Sequence, residues 1–420
     1  MSVRDLPAGP GWGAIAHDRL RRAAGEAAKG AIVRLGSKKG HGVVGRLRAA
    51  RFALKRKLRL TDRPTLVAYS GFVENGRLKV KGRVLEDEGV FDAPHSNSTL
   101  RNLWLTFKRY ETDEIADAKV EWEVNGFSGE VRSRDDGYFE IDHPFEGEEA
   151  QAHRDTPWLP VRLRLVKARH YEFEPKSAEG GVRLVTPNAR FAVISDIDDT
   201  IIHTGAFGML RHWRIVTANS PEARAAFPGV SHFYRALADG ADGPETNPIF
   251  YVSSSPWNLF DIFERFMALK AIPRGPMLLR NLSEDAAAWL RRDHFGHKDR
   301  MIDRLMAAYP DLDFVLIGDS GQKDSSVYAG AVARHPGRVL AVHIHDVRPS
   351  EAPSHVENDL AEIELHGVPT TLGRTLRKAA ELSERLGLVE AGTHDAVEAE
   401  VEAENDKATR YGRFPIIVQP

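Results

Sequence analysis

Phe191-Ala-Val-Ile-Ser195-Asp196-Ile-Asp198-Asp199-Thr200 decides the reading of this chain: a continuous apolar run that ends in three carboxylates and a hydroxyl. A short run of this kind is what a parallel strand buried on both faces looks like. In an open α/β sheet, the carboxyl end of such a strand opens on the binding crevice. Three carboxylates held close together repel one another, and a cation relieves that repulsion. The chain has no cysteine and no His-rich cluster accompanies these acids, so the ligands are hard oxygens, which points to Mg2+.

Working outward, the pattern repeats. Apolar runs at 249–252, 277–279, 314–317 and 339–344 alternate with helical stretches at 230–238, 256–268, 298–308 and 325–334. Together they predict a doubly wound parallel α/β sheet over residues 187–387. A last helix over 371–386 is expected to stop at Gly387. The run at 249–252 leads into Ser253-Ser-Ser255-Pro256, hydroxyl and backbone donors beside an expected helix N-terminus, suited to a phosphoryl oxygen. Lys298, in His297-Lys298-Asp299, can neutralise a phosphate as a point charge. The run at 314–317 ends in Gly318-Asp319-Ser-Gly-Gln322-Lys323-Asp324, a second carboxylate pair. Each feature also has a plain structural reading: serines before a proline cap helices, a single lysine is a surface charge, and an aspartate after glycine closes a turn. Their order, each placed with respect to a strand end, makes them a joint signal.

The rest of the chain frames this segment. With 420 residues the chain is long enough for two or three domains, and 42% hydrophobic with 28% charged residues excludes wholesale disorder. The missing cysteines exclude thiol catalysis, disulfides and thiolate metal sites. Over residues 61–186 the period changes to two, with Leu78, Val80 and Val84, Val120, Trp122 and Val124, and Val161, Leu163 and Leu165 alternating with polar residues. Turn signals at Glu74-Asn75-Gly76 and Arg134-Asp135-Asp136-Gly137 complete the pattern of a β-sandwich-like module, interrupted by a helix after Asn97 or Ser98 that buries Leu100, Trp104 and Phe107. No convergent catalytic set lies in it, so its expected role is scaffold or partner binding. Residues 1–60 read as an arm with a helix near 46–60, and residues 17–60 hold fourteen Lys or Arg against only Asp18 and Glu26. Such an arm suits an anionic membrane surface or a polynucleotide backbone, or simply forms a solvated helix packed on its neighbour. Residues 388–420 form an acidic tail, expected to be mobile over 388–406, with a short apolar run at 414–418. No apolar run reaches the roughly 20 residues of a membrane span, and the first dozen residues lack a signal-peptide core. The expected location is cytoplasmic, with peripheral attachment to the inner membrane surface.

The strings Ser195-Asp-Ile-Asp-Asp-Thr-Ile, Phe227-Pro-Gly-Val, Tyr251-Val-Ser-Ser-Ser-Pro-Trp-Asn, Gly296-His-Lys and Ile317-Gly-Asp-Ser-Gly-Gln-Lys-Asp resemble the haloacid dehalogenase superfamily of phosphotransferases. Within it the chain is similar to the actin-patch-protein branch of phosphatidate phosphatases, relatives of the lipins. The likeness covers about residues 187–385 well and the preceding module weakly. Where lipins typically carry glycine this chain has Asp199, a departure that favours the actin-patch branch and weakens any transfer of lipin specificity. The resemblance implies that Asp196 is the nucleophile and forms an aspartyl-phosphate, and that Asp198 protonates the leaving alcohol and then deprotonates water. It further implies that Thr200 and Ser253 hydrogen-bond around the site and the transferring group, that Lys298 offsets its charge, and that Asp196, the Asp198 main-chain carbonyl and Asp319 hold Mg2+. Asp324 would orient Lys298 or complete the metal shell, and Lys323 is a rival for the lysine role.

The spacing between these strings leaves little room for a large lid. The segment 203–214, with Phe207, Met209, Leu210 and Trp213, is either a small apolar flap or ordinary core packing. The leading expectation is an Mg2+-dependent phosphatase for phosphatidate or a related lipid phosphate, drawn to the membrane by residues 17–60. One alternative is a phosphatase for nucleic-acid ends or soluble phosphoesters, although the arm offers only Phe52 beyond Trp12 for base stacking. The other is a non-catalytic phosphate-recognition scaffold, against which the full set Asp196, Asp198, Ser253, Lys298 and Asp319 argues.

Overall fold

The computed structural model describes residues 63–87, 114–153, 155–202, 227–241, 243–280, 295–347 and 354–411. The basic arm, the helix expected after Asn97 or Ser98, the segment 203–214 and the apolar run at 414–418 lie outside the described residues.

The period-two region forms strands β1 (Arg63–Ala68), β2 (Gly71–Glu74), β3 (Arg77–Asp87), β4 (Lys119–Val124), β5 (Phe127–Arg132), β6 (Tyr138–Pro144), β7 (Trp158–Lys167) and β8 (Lys176–Arg183), with one short helix α1 (Glu148–Ala152). They make one hydrogen-bonded path, β1-β3-β2-β8-β7-β4-β5, with β6 paired to β3. Every pairing is antiparallel except β2 with β8. The β2–β3 turn is closed by Asn75 and Gly76 at φ 50° and 69°, the left-handed pair that a two-residue hairpin of matching twist requires. Alternate residues Leu78, Val80 and Val84 of β3, Val120 and Val124 of β4, and Val161, Leu163 and Leu165 of β7 share one buried cluster. The expected alternation therefore builds a mixed, mostly antiparallel sheet for the module read as β-sandwich-like.

The continuous apolar runs form a second, wholly parallel sheet: β9 (Phe191–Ser195), β10 (Ile249–Pro256), β11 (Met277–Arg280), β12 (Asp313–Asp319), β13 (Val339–His345) and β14 (Thr370–Gly373), in the order β11-β10-β9-β12-β13-β14. Strand β9, first in sequence, lies between β10 and β12, so the strand order reverses beside it. Helices cover both faces. Phe191 and Val193 of β9 point into a core closed by α2 (Val230–Asp239), α3 (Phe260–Leu269), α7 (Arg377–Arg385) and α8 (Thr393–Tyr411). Ala192 and Ile194 point into the opposite core, closed by α4 (Phe295–Ala308), α5 (Asp324–Arg334) and α6 (Ser354–Leu365). Burial on both sides is why these strands read as unbroken apolar runs.

The first sheet is fused to this layer through β2 and the residue pair before it. Tyr69 stacks on Trp257 with ring centroids 4.6 Å apart and joins one core, while Phe72 meets Phe250 edge-on at 5.7 Å in the other. Arg304 of α4 donates twice to the Glu74 carboxylate, at 2.5 and 2.8 Å, and the Tyr309 hydroxyl donates to the Val73 carbonyl at 2.5 Å.

Three local expectations are corrected. The last helix begins at Arg377, because Thr370 and Thr371 extend beside β13 as β14, in register with Val342 and His343. The helix expected from Pro256 begins at Phe260: β10 runs on through Pro256, whose ψ of 154° is extended, and a 3-10 turn at Trp257–Leu259 intervenes. Finally, the acidic tail is helical over Thr393–Tyr411. Val397 and Val401, one turn apart, are fully buried and join the core that α2 closes, while His232 of α2 meets Glu400 at 2.7 Å. Among the described residues no helix is long and apolar enough to cross a membrane.

Candidate active site

Strand β9 delivers the first carboxylates. The Asp196 N–H donates to the Ile317 carbonyl of β12 at 2.9 Å, tying the end of β9 to its neighbour. The chain then turns sharply: Ile201 N and Ile202 N donate to the Ile197 carbonyl at 3.0 and 3.1 Å, and Asp199 N to the Ile202 carbonyl at 2.9 Å. This turn holds Asp199 at φ 59°, in the left-handed region. Aspartate tolerates that region better than most residues, and glycine, the typical lipin residue here, enters it without penalty.

The carboxylates of Asp196 and Asp198 are held differently. Asp198 Oδ2 accepts hydrogen bonds from Ser253 Oγ and Ser255 Oγ, both at 2.8 Å. Ser253 Oγ in turn accepts from Ser255 N at 2.9 Å. Both serines reach the same oxygen because β10 stays extended past Val252, and residues two apart on a strand share a face. Asp196 Oδ1 faces Lys298 Nζ at 2.9 Å, and Asp196 Oδ2 accepts from Thr200 Oγ1 at 3.4 Å. Behind them, Ser195 Oγ donates to the Asp196 carbonyl at 2.6 Å and meets the Tyr234 hydroxyl at 2.7 Å.

The loop after β12 closes the cluster. Asp319 Oδ1 accepts from Gly321 N at 2.6 Å and Gln322 N at 2.8 Å, and Asp319 N donates to Asp324 Oδ2 at 3.2 Å. Asp324 Oδ1 accepts from Lys298 Nζ at 2.5 Å. Gln322 Nε2 reaches across to the Asp198 carbonyl at 2.9 Å and to Asp196 Oδ2 at 3.4 Å. Gly318 is required by this packing, since a Cβ there would lie 2.6 Å from Asp324 Oδ2.

Asp196, Asp198, Asp319, Asp324 and Lys298 are all buried. Burial pushes the Asp196 carboxyl well above the usual range, with Asp324 and Asp198 adding and Lys298 opposing. Asp319 is raised in the same way, by burial and then by Asp324 and Asp196. Lys298 loses solvation, yet its carboxylate neighbours more than compensate and keep it charged. Four buried carboxyl groups thus stand beside one buried lysine, and burial favours the neutral forms of Asp196 and Asp319.

Whether these residues suit a divalent cation is testable on their own atoms. Asp196, Asp319 and Asp324 each offer a carboxylate oxygen within 4.8 Å of the others. Both Asp324 oxygens already accept hydrogen bonds, from Lys298 and from Asp319 N. Asp319 Oδ2 is buried and has no hydrogen-bond partner among the described residues, a costly state for an acceptor that a cation would relieve. All-oxygen donors of this kind fit Mg2+.

The structure thus brings together all seven residues singled out in the sequence: Asp196, Asp198, Thr200, Ser253, Lys298, Asp319 and Asp324. Ser253 hydrogen-bonds within the site, to the Asp198 carboxylate, and Lys323 is exposed. Two participants were not singled out. The contact of Ser255 with Asp198 lay hidden because the helix was expected to start at Pro256, and Gln322 gave no signal inside a loop read for its acids.

Residues 191–346 match the family described as phosphatidate phosphatase APP1, catalytic domain. The chain is 29% identical over 214 residues to phosphatidate phosphatase APP1 of Saccharomyces cerevisiae, an alignment that covers 50% of this chain and 35% of the yeast protein. It is 26% identical over 256 residues to an uncharacterized protein of Schizosaccharomyces pombe, covering 59% of this chain and 38% of that one. The chain therefore spans little more than a third of the length of these relatives. A solved carbohydrate acetylesterase from Xanthomonas citri covers 84% of this chain and 76% of its own at 9% identity, with a TM-score of 0.27. The five strings noted in the sequence all fall within residues 191–346, so this segment is similar to the catalytic domain of the actin-patch phosphatidate phosphatase family.

Proposed function

We propose that this chain is an Mg2+-dependent phosphatase of the haloacid dehalogenase type that hydrolyses phosphatidate or a closely related lipid phosphomonoester. The observation that carries this reading is the pairing of two unlike carboxylates at the strand-order reversal: Asp196, set against Lys298, and Asp198, held by two serine hydroxyls. The first has the environment of a nucleophile and the second that of a proton carrier.

In this mechanism an Asp196 carboxylate oxygen attacks phosphorus and the bond from phosphorus to the glycerol oxygen breaks. Asp198 gives its proton to that oxygen, and diacylglycerol leaves. Water then attacks the aspartyl-phosphate, Asp198 takes a proton from it, and the bond between Asp196 and phosphorus breaks to release phosphate. Ser253 and Ser255 keep the Asp198 carboxyl oriented through both proton transfers. Lys298 offsets charge on Asp196 and on the phosphoryl group, and Asp324 aims Lys298. When bound by Asp196, the Asp198 carbonyl and Asp319, Mg2+ would supply positive charge that favours ionised Asp196 and stabilises the phosphoryl oxygens. The basic residues of 17–60 supply attraction to the anionic inner membrane surface, about 1 kcal/mol per cation near it.

Phosphate release from phosphatidate in mixed micelles, with Mg2+ and with chelator, tests this reading for the wild type and Asp196→Asn. Release that needs both Mg2+ and Asp196 supports it. Release from a soluble aryl phosphate alone would keep the catalytic assignment and remove the lipid substrate.

A further inference from the structure

Gln322 makes two contacts that the mechanism above does not use. Its carboxamide nitrogen donates to the Asp198 carbonyl at 2.9 Å and to Asp196 Oδ2 at 3.4 Å. A carboxamide carries two N–H donors on one nitrogen, one for each of these acceptors. The opposite orientation would set Oε1 against two acceptor oxygens, so the network assigns nitrogen to this position. The backbone of the same residue is also fixed, because Gln322 N donates to Asp319 Oδ1 at 2.8 Å. Gln322 therefore contacts, by side chain or by main chain, all three residues to which the mechanism assigns the cation.

On the reading that Asp196, the Asp198 carbonyl and Asp319 hold Mg2+, we infer that the Gln322 carboxamide and the cation compete for Asp196 Oδ2 and the Asp198 carbonyl. Gln322 acts as a positioning residue: it keeps these two acceptor oxygens facing one another, and it withdraws when a cation takes them. The partial positive charge of the amide protons restrains the oxygens, whereas the full charge of the ion ligates them. A carboxamide is suited to this use because it donates without carrying net charge, so the ion displaces it at small electrostatic cost. A lysine here would hold the oxygens permanently. Binding is thereby weakened relative to a site without the amide, which raises the ion concentration at which the enzyme fills.

The test measures metal binding directly, in full-length protein, with Mn2+ followed by electron paramagnetic resonance and Mg2+ by calorimetry. Wild type, Gln322→Ala, Gln322→Leu and Asp319→Asn are compared, and thermal unfolding is recorded with chelator and with saturating Mg2+. Competition predicts that Gln322→Ala and Gln322→Leu bind the ion about tenfold more tightly, the scale of one lost hydrogen bond. It also predicts that both variants melt below wild type in chelator and that Mg2+ closes the gap. Weaker binding in both variants would make Gln322 a ligand and overturn competition, as would unchanged affinity. If wild type binds neither ion, or Asp319→Asn leaves affinity intact, the metal assignment itself fails, and competition with it. That result is distinguishable because it does not depend on residue 322.

Discussion

Lys298 Nζ and Asp324 Oδ1 are 2.5 Å apart, each carried near the start of a different helix, α4 and α5. The placement is unequal. A helix N-terminus favours a carboxylate such as Asp324 and disfavours a cation such as Lys298, so the lysine depends on its acidic neighbours. Lys298→Met should abolish phosphate release and destabilise the fold by about 3 kcal/mol, because it leaves buried carboxylates without their cation. Urea unfolding and single-turnover assays read the two effects. Loss of activity with unchanged stability would show that the carboxylates are relieved by something other than Lys298.

Ser253 and Ser255 share one Asp198 oxygen. Removing either hydroxyl leaves the other, so Ser255→Ala is expected to lower kcat about tenfold, on the scale of one hydrogen bond to a charged group. The double alanine variant should lose more than the product of the singles, since the carboxylate then has neither restraint. KM for lipid should change little, as neither serine is assigned to bind substrate. A double variant as active as either single would remove these serines from the proton-transfer step.

His343 gives the fold a pH dependence that is separate from catalysis. It sits on β13 between Thr371 Oγ1 at 2.9 Å and Ser383 Oγ at 3.1 Å, and burial pushes its pKa down to about 3. The folded protein therefore favours the neutral ring. Its contribution is complete above the unfolded value near 6.5 and is lost as pH falls from there towards 3, by up to about 1.4 kcal/mol per pH unit. Asp196 and Asp319, with raised pKa values, run the other way and lose stabilisation as pH rises. Comparing wild type with His343→Gln isolates the histidine. The stability difference between pH 7.5 and pH 5 should be smaller in the variant, and an equal difference would show that the ring takes up a proton without cost.

Glu74 and Arg304 join the first sheet to the helix that carries Lys298. Arg304 holds Glu74 below its ordinary pKa through this hydrogen-bonded pair. Because the pair is partly exposed, Arg304→Ala is expected to cost about 1 kcal/mol. More telling is the shape of the transition: Tyr69 and Phe72 lie in the two cores of the parallel sheet, so both sheets should melt together. Calorimetry with two separated transitions would show that the first sheet folds independently.

Much of this arrangement was legible in the sequence because strands buried on both faces write themselves as apolar runs, and site residues cluster where such runs stop. Asp196 and Asp319 were found this way. The β14 strand was missed because four half-buried residues beside a helical pattern carry no usable period. The α8 helix was missed because its acidic composition outweighs two valines one turn apart, and only tertiary contact with α2 reveals that stripe. Gln322 was missed because an uncharged side chain that restrains a carboxylate leaves no mark in composition, whereas Ser255 stood in the donor string and only its contact with Asp198 was hidden by the helix expected from Pro256. The reach of Gln322 to Asp198 depends on a pairing between β9 and β12 that sequence order does not state.

That pairing has a consequence for the chain as it is made. Strand β9 precedes every strand that will flank it, and Gln322 lies 126 residues after the carboxylate it touches. As synthesis proceeds from the N-terminus, the triple-acid turn emerges well before the serines, the lysine and the second acid pair. Closing so long a loop is slow and cannot be rehearsed locally. A half-made chain therefore holds only part of the carboxylate cluster, which is completed when the central strands meet.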